Sequence, residues 1–343
     1  MRAEPGATSM EMSPSVESPA VRWVARLRDL GLLVALAVVV VVTAFRSPQF
    51  ATAANFQRIL LDISLLLIVA TGETMVVLTR NIDLSVGSAL GLVGITVGFY
   101  LKGHPDIPTG LILAMGIGLG TLLGSVNGLL VAWGRVPAII ATLGTLSMYR
   151  GLVFVQSGSQ QVNPQDLPAR LIALARPTAL HVPWMVILAL AIAVAALLFL
   201  RFSRTGRAMY ATGSNPMAAH LRGIPTQKVV FVTYLVSGAL AGLAGILYAA
   251  RFATVNPASA GMGFELQVVA AVVIGGTSIL GGRGSVVGTV LGALLLGTIA
   301  NALAVTGVSG FWQRAIEGGI ILAAVSADAV LRQHAPGRRG EHA

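Results

Sequence analysis

Apolar runs long enough to cross a membrane recur along this chain, and no other feature constrains its fold as much. A helix rises about 1.5 Å per residue and a bilayer's hydrocarbon core is about 30 Å thick, so about 20 apolar residues make one crossing. Such runs lie at Leu30 to Phe45, Gln57 to Thr79, Leu84 to Leu101, Pro108 to Trp133, Pro137 to Val155, Val182 to Leu200, Lys228 to Ala250, Leu266 to Leu280, Val286 to Val305 and Phe311 to Leu331. The reading is an all-α integral membrane protein, a bundle of about ten transmembrane helices. Composition demands the same, because 55% of the 343 residues are hydrophobic and 10% are charged, more apolar surface than a water-soluble domain can bury. The first run is not a cleaved signal, since no small-residue cleavage site precedes Arg46, Ser47 and Pro48. The eighth run is short, and with the Gly-rich GGTSILGGRGS before its neighbour it reads as a tight hairpin with a bent or broken end.

Residues 22–331 form the polytopic domain in this reading. Residues 1–21 are a disordered tail, too poor in burial to offset the entropy of ordering, and 332–343 are a second tail. The segment Gln156 to His181, with Pro164, Pro168 and Pro177, is the largest outer loop and is expected to lie along the surface. With the N-terminus cytoplasmic, fifteen of the 23 Lys and Arg residues fall on the inner side, so both termini are placed in the cytoplasm of a cell bounded by this plasma membrane.

A net charge of +10 raises the question of nucleic acid. The basic residues sit between apolar runs and not on one polar face, so membrane topology accounts for them and no nucleic-acid partner is expected. There is no cysteine, hence no disulfide and no thiolate metal site. Neither lysine, Lys102 or Lys228, belongs to a phosphate-cradling G-x-x-x-x-G-K-[ST] loop, and the five histidines are dispersed without metal-ligand spacing. No G-x-S-x-G nucleophile elbow occurs. The chain is therefore read as no enzyme, without catalytic residues, metal or cofactor.

The longest polar stretch between two apolar runs is Arg201 to Lys228, RFSRTGRAMYATGSNPMAAHLRGIPTQK, with five basic residues and no acidic one. It belongs on the cytoplasmic side. Asn215 suits the N-cap of a short helix, Pro216 its first position, residues 217–222 its body and Gly223 its end. That pattern fits a docking peg, in which small Ala218 and Ala219 allow close approach and Leu221 adds apolar contact. A solvated loop that only marks topology is the other reading.

Glycines recur at small-residue spacing, as in Gly87, Gly91, Gly94, Gly98 and in Gly116, Gly120, Gly124, Gly128, which permits helices to touch closely. The turn TRNIDLSVGS, Thr79 to Ser88, is polar. Asp83 with Ser85 can cap the next helix, or can mark a translocation path, and Asn81, Glu73, Thr277 and Ser278 are further path candidates. Asp62, Glu73, Arg150 and Glu317 lie within apolar runs without evident pairing, so each must face protein or a wet cavity.

Four stretches, TRNIDLSVGS, Val131 to Gly151, Tyr210 to Ile224 and Ala270 to Gly297, resemble the ribose-type permeases of bacterial ATP-binding-cassette importers, with the nearest likeness to those for autoinducer-2 and rhamnose. The resemblance covers about Leu30 to Leu331. It implies a permease subunit for a monosaccharide or small polyol, paired with a second copy or a sister permease in membrane lipid, driven by cytoplasmic ATPase subunits and supplied by an extracytoplasmic sugar-binding protein. It also implies that Asn215 to Ile224 is a coupling helix gripped by the ATPase. The residues then assigned to coupling are Arg207, Gly213, Asn215, Pro216, Ala218, Ala219, Leu221, Gly223 and Ile224. Two positions depart from the pattern: Pro216 stands where an acidic residue is common, and Glu73 where a neutral one is expected. An ion-coupled secondary carrier and a structural membrane protein remain the other function classes.

Overall fold

The computed structural model describes residues 19–178 and 182–333, and the expected tails lie outside them except for their innermost residues. Among the described residues thirteen α-helices follow in order: α1 Pro19–Arg46, α2 Ala53–Leu78, α3 Val86–Gly103, α4 Thr109–Ala132, α5 Ala138–Ser157, α6 Ala169–Ile172, α7 Trp184–Phe202, α8 Arg204–Ser214, α9 Pro216–Leu221, α10 Thr226–Phe252, α11 Phe264–Ile274, α12 Val286–Val305 and α13 Gly310–Gln333. In lipid every backbone polar group needs an internal partner, which is why apolar runs of this length become helices.

Among the described residues, eight helices are long and apolar enough to cross a membrane: α1, α2, α3, α4, α5, α7, α10 and α12. The other two expected runs differ from them. The eighth is helical for only the 11 residues of α11, and Gly275 to Ser285 then turns back without helix, through positive φ at Gly276, Gly281, Gly282 and Gly284. The tenth, α13, is 24 residues long but carries Arg314, Glu317, Asp328 and Arg332.

Burial separates the centre from the lipid face. In the most apolar window of α2, 89% is buried, against 6% for α1, so α2 is the axis of the bundle and α1 is a peripheral helix packed on α12. The closest helix pair is α4 with α10, and glycine is the reason. A Cβ at Gly120 would strike the Gly238 carbonyl, one at Gly124 the Tyr234 carbonyl, and one at Gly242 the Gly116 carbonyl. Small-residue spacing thus becomes direct backbone contact.

Of the segment Gln156 to His181, expected to lie along the surface, residues 156–178 are described, and part of them is buried. Val162 pairs with Val255 through two 3.0 Å backbone hydrogen bonds, and Val162, Leu167 and Leu171 are buried. The bare backbone at Gly98 leaves room for Val162, and the bridge satisfies polar groups that would otherwise be stranded in an apolar groove.

Candidate functional site

The polar loop after α7 folds as two capped helices. Ser203 Oγ accepts from Gly206 N–H at 2.8 Å to start α8, and Arg207 Nη1 donates to the Phe202 carbonyl at 3.0 Å. Asn215 ends α8 in an extended conformation and starts α9, its Oδ1 accepting from Ala218 N–H at 3.0 Å with Pro216 in the first turn. Arg222 closes the helix and Gly223 follows with φ +79°, as the spacing predicted. Met217 and Leu221, one turn apart, are 67% and 80% exposed and form an apolar knob. Ala218 is exposed beside them. Ala219 is not: at 4% exposure it faces its own chain, which corrects the expectation that both alanines line the outward face. The reason is helical phase, since Ala219 stands opposite the face shared by Met217 and Leu221. Ile224 is half-buried and donates its N–H to the Ala219 carbonyl at 3.0 Å.

This loop is tied to the bundle axis at Gly213. A Cβ there would collide with the Leu78 carbonyl at the end of α2 and with the Gly282 amide in the glycine turn, and those two groups hydrogen-bond each other at 2.9 Å. Arg80, just past α2, takes φ +67°, a conformation costly for any residue but glycine. From it the guanidinium donates Nε to the Gly213 carbonyl at 2.6 Å and Nη2 to that of Ser214 at 3.2 Å, at the negative end of α8. Tyr210 adds a hydroxyl donated to the Gly284 carbonyl at 3.1 Å, and burial pushes its phenol above the ordinary range. Sequence reasoning counted Arg80 only as an inner-side charge, and its backbone conformation left no mark in the residue pattern.

Beyond Arg80 the turn enters the interior. Asp83 is 1% exposed, and its Oδ1 accepts from the Ser85 amide at 3.0 Å and the Ser85 hydroxyl at 2.7 Å. Ser85 is the N-cap of α3 by position, but its side chain binds no helix amide and serves Asp83 instead. Asn127 on α4 donates to Asp83 Oδ1 at 3.3 Å and to Ser85 Oγ at 2.7 Å, while Thr145 on α5 donates to Asn127 Oδ1 at 2.7 Å. Glu73, fully buried on α2, accepts the Asp83 N–H at 3.0 Å through Oε1, and its Oε2 has no hydrogen-bond partner among the described residues. Burial raises the Asp83 carboxyl above its usual range, and the Ser85 and Asn127 hydrogen bonds oppose that rise. Asn81 folds back on the Thr79 carbonyl at 2.9 Å, and Thr277 and Ser278 are buried in the glycine turn.

None of these six path candidates lines the cavity that lies between Asp62 and Glu317. That cavity, about 340 Å³, is walled by α2, α3, α10, α11, α12 and α13 and brings together Asp62, Gln267, Asn301 and Glu317. Two ionisable groups that looked unpaired find partners here: the exposed Asp62 accepts from Arg251 Nε at 3.0 Å through Oδ1, and the half-buried Glu317 accepts from Gln267 Nε2 at 2.9 Å through Oε2. Arg150 binds the Ala260 carbonyl at 2.7 Å. Their separation along the chain hid every one of these pairs.

The family model described as branched-chain amino acid transport system, permease component, matches residues 55–325. The autoinducer 2 import system permease protein LsrC of Escherichia coli (strain K12 / DH10B) is 35% identical over 314 residues, 91% of this chain and 90% of that protein. The ribose import permease protein RbsC of Escherichia coli (strain K12) is 40% identical over 301 residues, 86% of this chain and 92% of that protein. An LsrC protein of Yersinia enterocolitica is 38% identical over 281 residues, 81% of this chain and 76% of its own length. No solved structure matches the chain. With the match running from α2 into α13, this multi-pass membrane protein belongs to the family of branched-chain amino acid transport system permease components.

Proposed function

We propose that this chain is the membrane-spanning permease subunit of an ATP-binding-cassette importer that moves a monosaccharide or related small polyol into the cytoplasm. The relatives are import permeases for autoinducer 2 and ribose, which supports the substrate class and gives no support to an ion-coupled carrier. Work is supplied by separate cytoplasmic ATPase subunits, and substrate by an extracytoplasmic binding protein. A second permease copy or a sister subunit completes the translocation unit within the lipid. Both termini and the α8–α9 loop lie in the cytoplasm, in keeping with the loop's five basic and no acidic residues.

One observation carries the coupling assignment. The Met217 and Leu221 knob is exposed on the short helix α9, and the end of α8 that leads directly into α9 is fixed to the end of α2 through Gly213 and Arg80. An exposed apolar pair on a rigid mount is suited to enter a groove on a partner and pass its movement to the bundle axis. The test is Met217→Glu with Leu221→Glu. The double variant is expected to insert normally, to lose ATPase on affinity purification and to lose sugar uptake. Wild-type retention of the ATPase together with wild-type uptake would mean that the loop only marks topology.

A further inference from the structure

We infer that the glycine turn between α11 and α12 is a second docking point for the ATPase, with Leu280 at its tip entering the same partner as the Met217 and Leu221 knob. The inference rests on the coupling reading above and extends the contact from one short helix to two elements.

Position comes first. The 20 residues of α12 make one crossing of about 30 Å, so Val286 at its start stands at a membrane surface with the turn beside it. That surface is the one carrying α8 and α9. Gly282 donates its N–H to the Leu78 carbonyl at 2.9 Å, and a Cβ on Gly282 would collide with Ser214, the residue before Asn215. From this contact Leu280 is two residues away and Met217 three. At about 3.5 Å of extended chain per residue, their Cα atoms lie within about 22 Å of each other. A stable protein interface takes about 800 Å² and about 20–30 residues from each partner, a patch about 30 Å across. The six residues of α9 fall well short of that, and the patch around them reaches the turn.

The turn is built to present a side chain. Gly281 N–H donates to the Ser278 carbonyl and Ser278 N–H to the Arg283 carbonyl, both at 2.8 Å, so residues 278–283 close on themselves. Arg28 of α1 donates Nη1 to the Gly276 carbonyl at 3.1 Å, and the Tyr210 hydroxyl holds the Gly284 carbonyl at the same distance. On this fixed tip Leu280 is 64% exposed, with Arg283 exposed beside it. Neither the turn nor the stretch from Arg201 to Lys228 contains an acidic residue, so both tips stand on one basic surface. Its complement is a groove with an apolar floor and an acidic rim. Anionic lipid offers similar chemistry, but it accepts a mobile side chain as readily as a fixed one. A tip held by backbone bonds to three other elements fits a protein partner that pushes on it.

The chain has no native cysteine, so single thiols report on position. Leu280→Cys, Met217→Cys and Asp106→Cys, the last exposed in the loop at the far end of α3, are placed in phospholipid nanodiscs with and without the importer's ATPase. The rate at which a charged maleimide labels the permease chain is measured. The ATPase is expected to slow labelling of Leu280→Cys and Met217→Cys about tenfold each and to leave Asp106→Cys unchanged. Leu280→Glu, at an exposed position, is expected to melt with the wild type and to weaken ATPase binding about tenfold. Labelling of Leu280→Cys unchanged by the ATPase while Met217→Cys is protected, or wild-type ATPase affinity in Leu280→Glu, overturns this inference and leaves the coupling reading standing. Slow labelling of Leu280→Cys in both states would show that lipid covers the tip, and overturns it likewise. Protection of neither thiol overturns the coupling reading and this inference with it.

Discussion

Arg80 Nε donates to the carbonyl oxygen of Gly213 at 2.6 Å, and it does so from a backbone conformation, φ +67°, that an arginine adopts only at a cost. The bond joins the turn just past the central helix α2 to the end of α8, two residues before Asn215 starts the proposed coupling helix. In the coupling proposed above, this contact and the packed backbone of Gly213 are the route by which a movement of α9 would reach the α2–α3 turn.

Replacing Arg80 by glycine separates strain from linkage. Arg80→Gly removes a backbone strain of about 1–2 kcal/mol but also removes the guanidinium, whose hydrogen bonds contribute about 1.5–3 kcal/mol when they involve a charged group. We expect Arg80→Gly to insert and melt near the wild type while transport falls several-fold, and Arg80→Lys to retain part of the activity through a single donor. ATPase activity that continues without uptake would be the signature of a broken link. Full uptake in Arg80→Gly would show that the contact has no part in coupling.

The glycines give a second test, since their surroundings differ. Gly213→Ala forces a Cβ into the Leu78 carbonyl, whereas Gly144→Ala on α5 meets open space. We expect Gly213→Ala to cost several kcal/mol, the range of severe overpacking, and Gly144→Ala to be neutral or stabilising by up to about 1 kcal/mol. Thermal melting of the detergent-solubilised protein decides it, and equal melting of the two variants would contradict the packing at Gly213.

Around α9 the two alanines should behave differently. Ala219→Glu drives a carboxylate into the chain's own interior and is expected to destabilise the loop, read as increased proteolysis between α8 and α10. Ala218→Glu lies on the exposed face and should leave the loop intact while weakening ATPase retention. Gly223→Ala has room for its methyl group and costs only the φ +79° strain, about 1–2 kcal/mol.

Asp83 makes stability depend on pH in a defined direction. Burial raises its carboxyl above the ordinary range, so the folded protein holds this proton more tightly than the unfolded chain does. Its contribution is complete below the ordinary carboxylate range and is lost as pH rises through the folded-state value. Asp83→Asn keeps an acceptor for the Ser85 amide but cannot titrate. We expect its melting temperature to overtake that of the wild type as pH rises, and Asp83→Ala to be destabilised at every pH by about 1–3 kcal/mol per stranded polar partner. A constant gap between Asp83→Asn and wild type across pH would remove the carboxyl from the balance.

Much of this protein could be read from residue order alone. Run lengths set the helices because lipid leaves a backbone no other partner, and Asn215, Pro216 and Gly223 marked α9 because cap chemistry is local. Glycine spacing announced that helices would touch closely. It did not name the pair α4 and α10, because which faces meet depends on all the helices at once. The same limit applied to charge. Asp62 and Arg251, 189 residues apart, and Gln267 and Glu317, 50 apart, become partners only when α2, α10, α11 and α13 surround one cavity. Ala219 was assigned to the wrong face because a six-residue helix shows too little periodicity to set its phase. Local hydrogen bonding and run length are properties of neighbouring residues, so sequence determined them. Pairing, phase and the cavity depend on distances through space, and these only the tertiary structure decided.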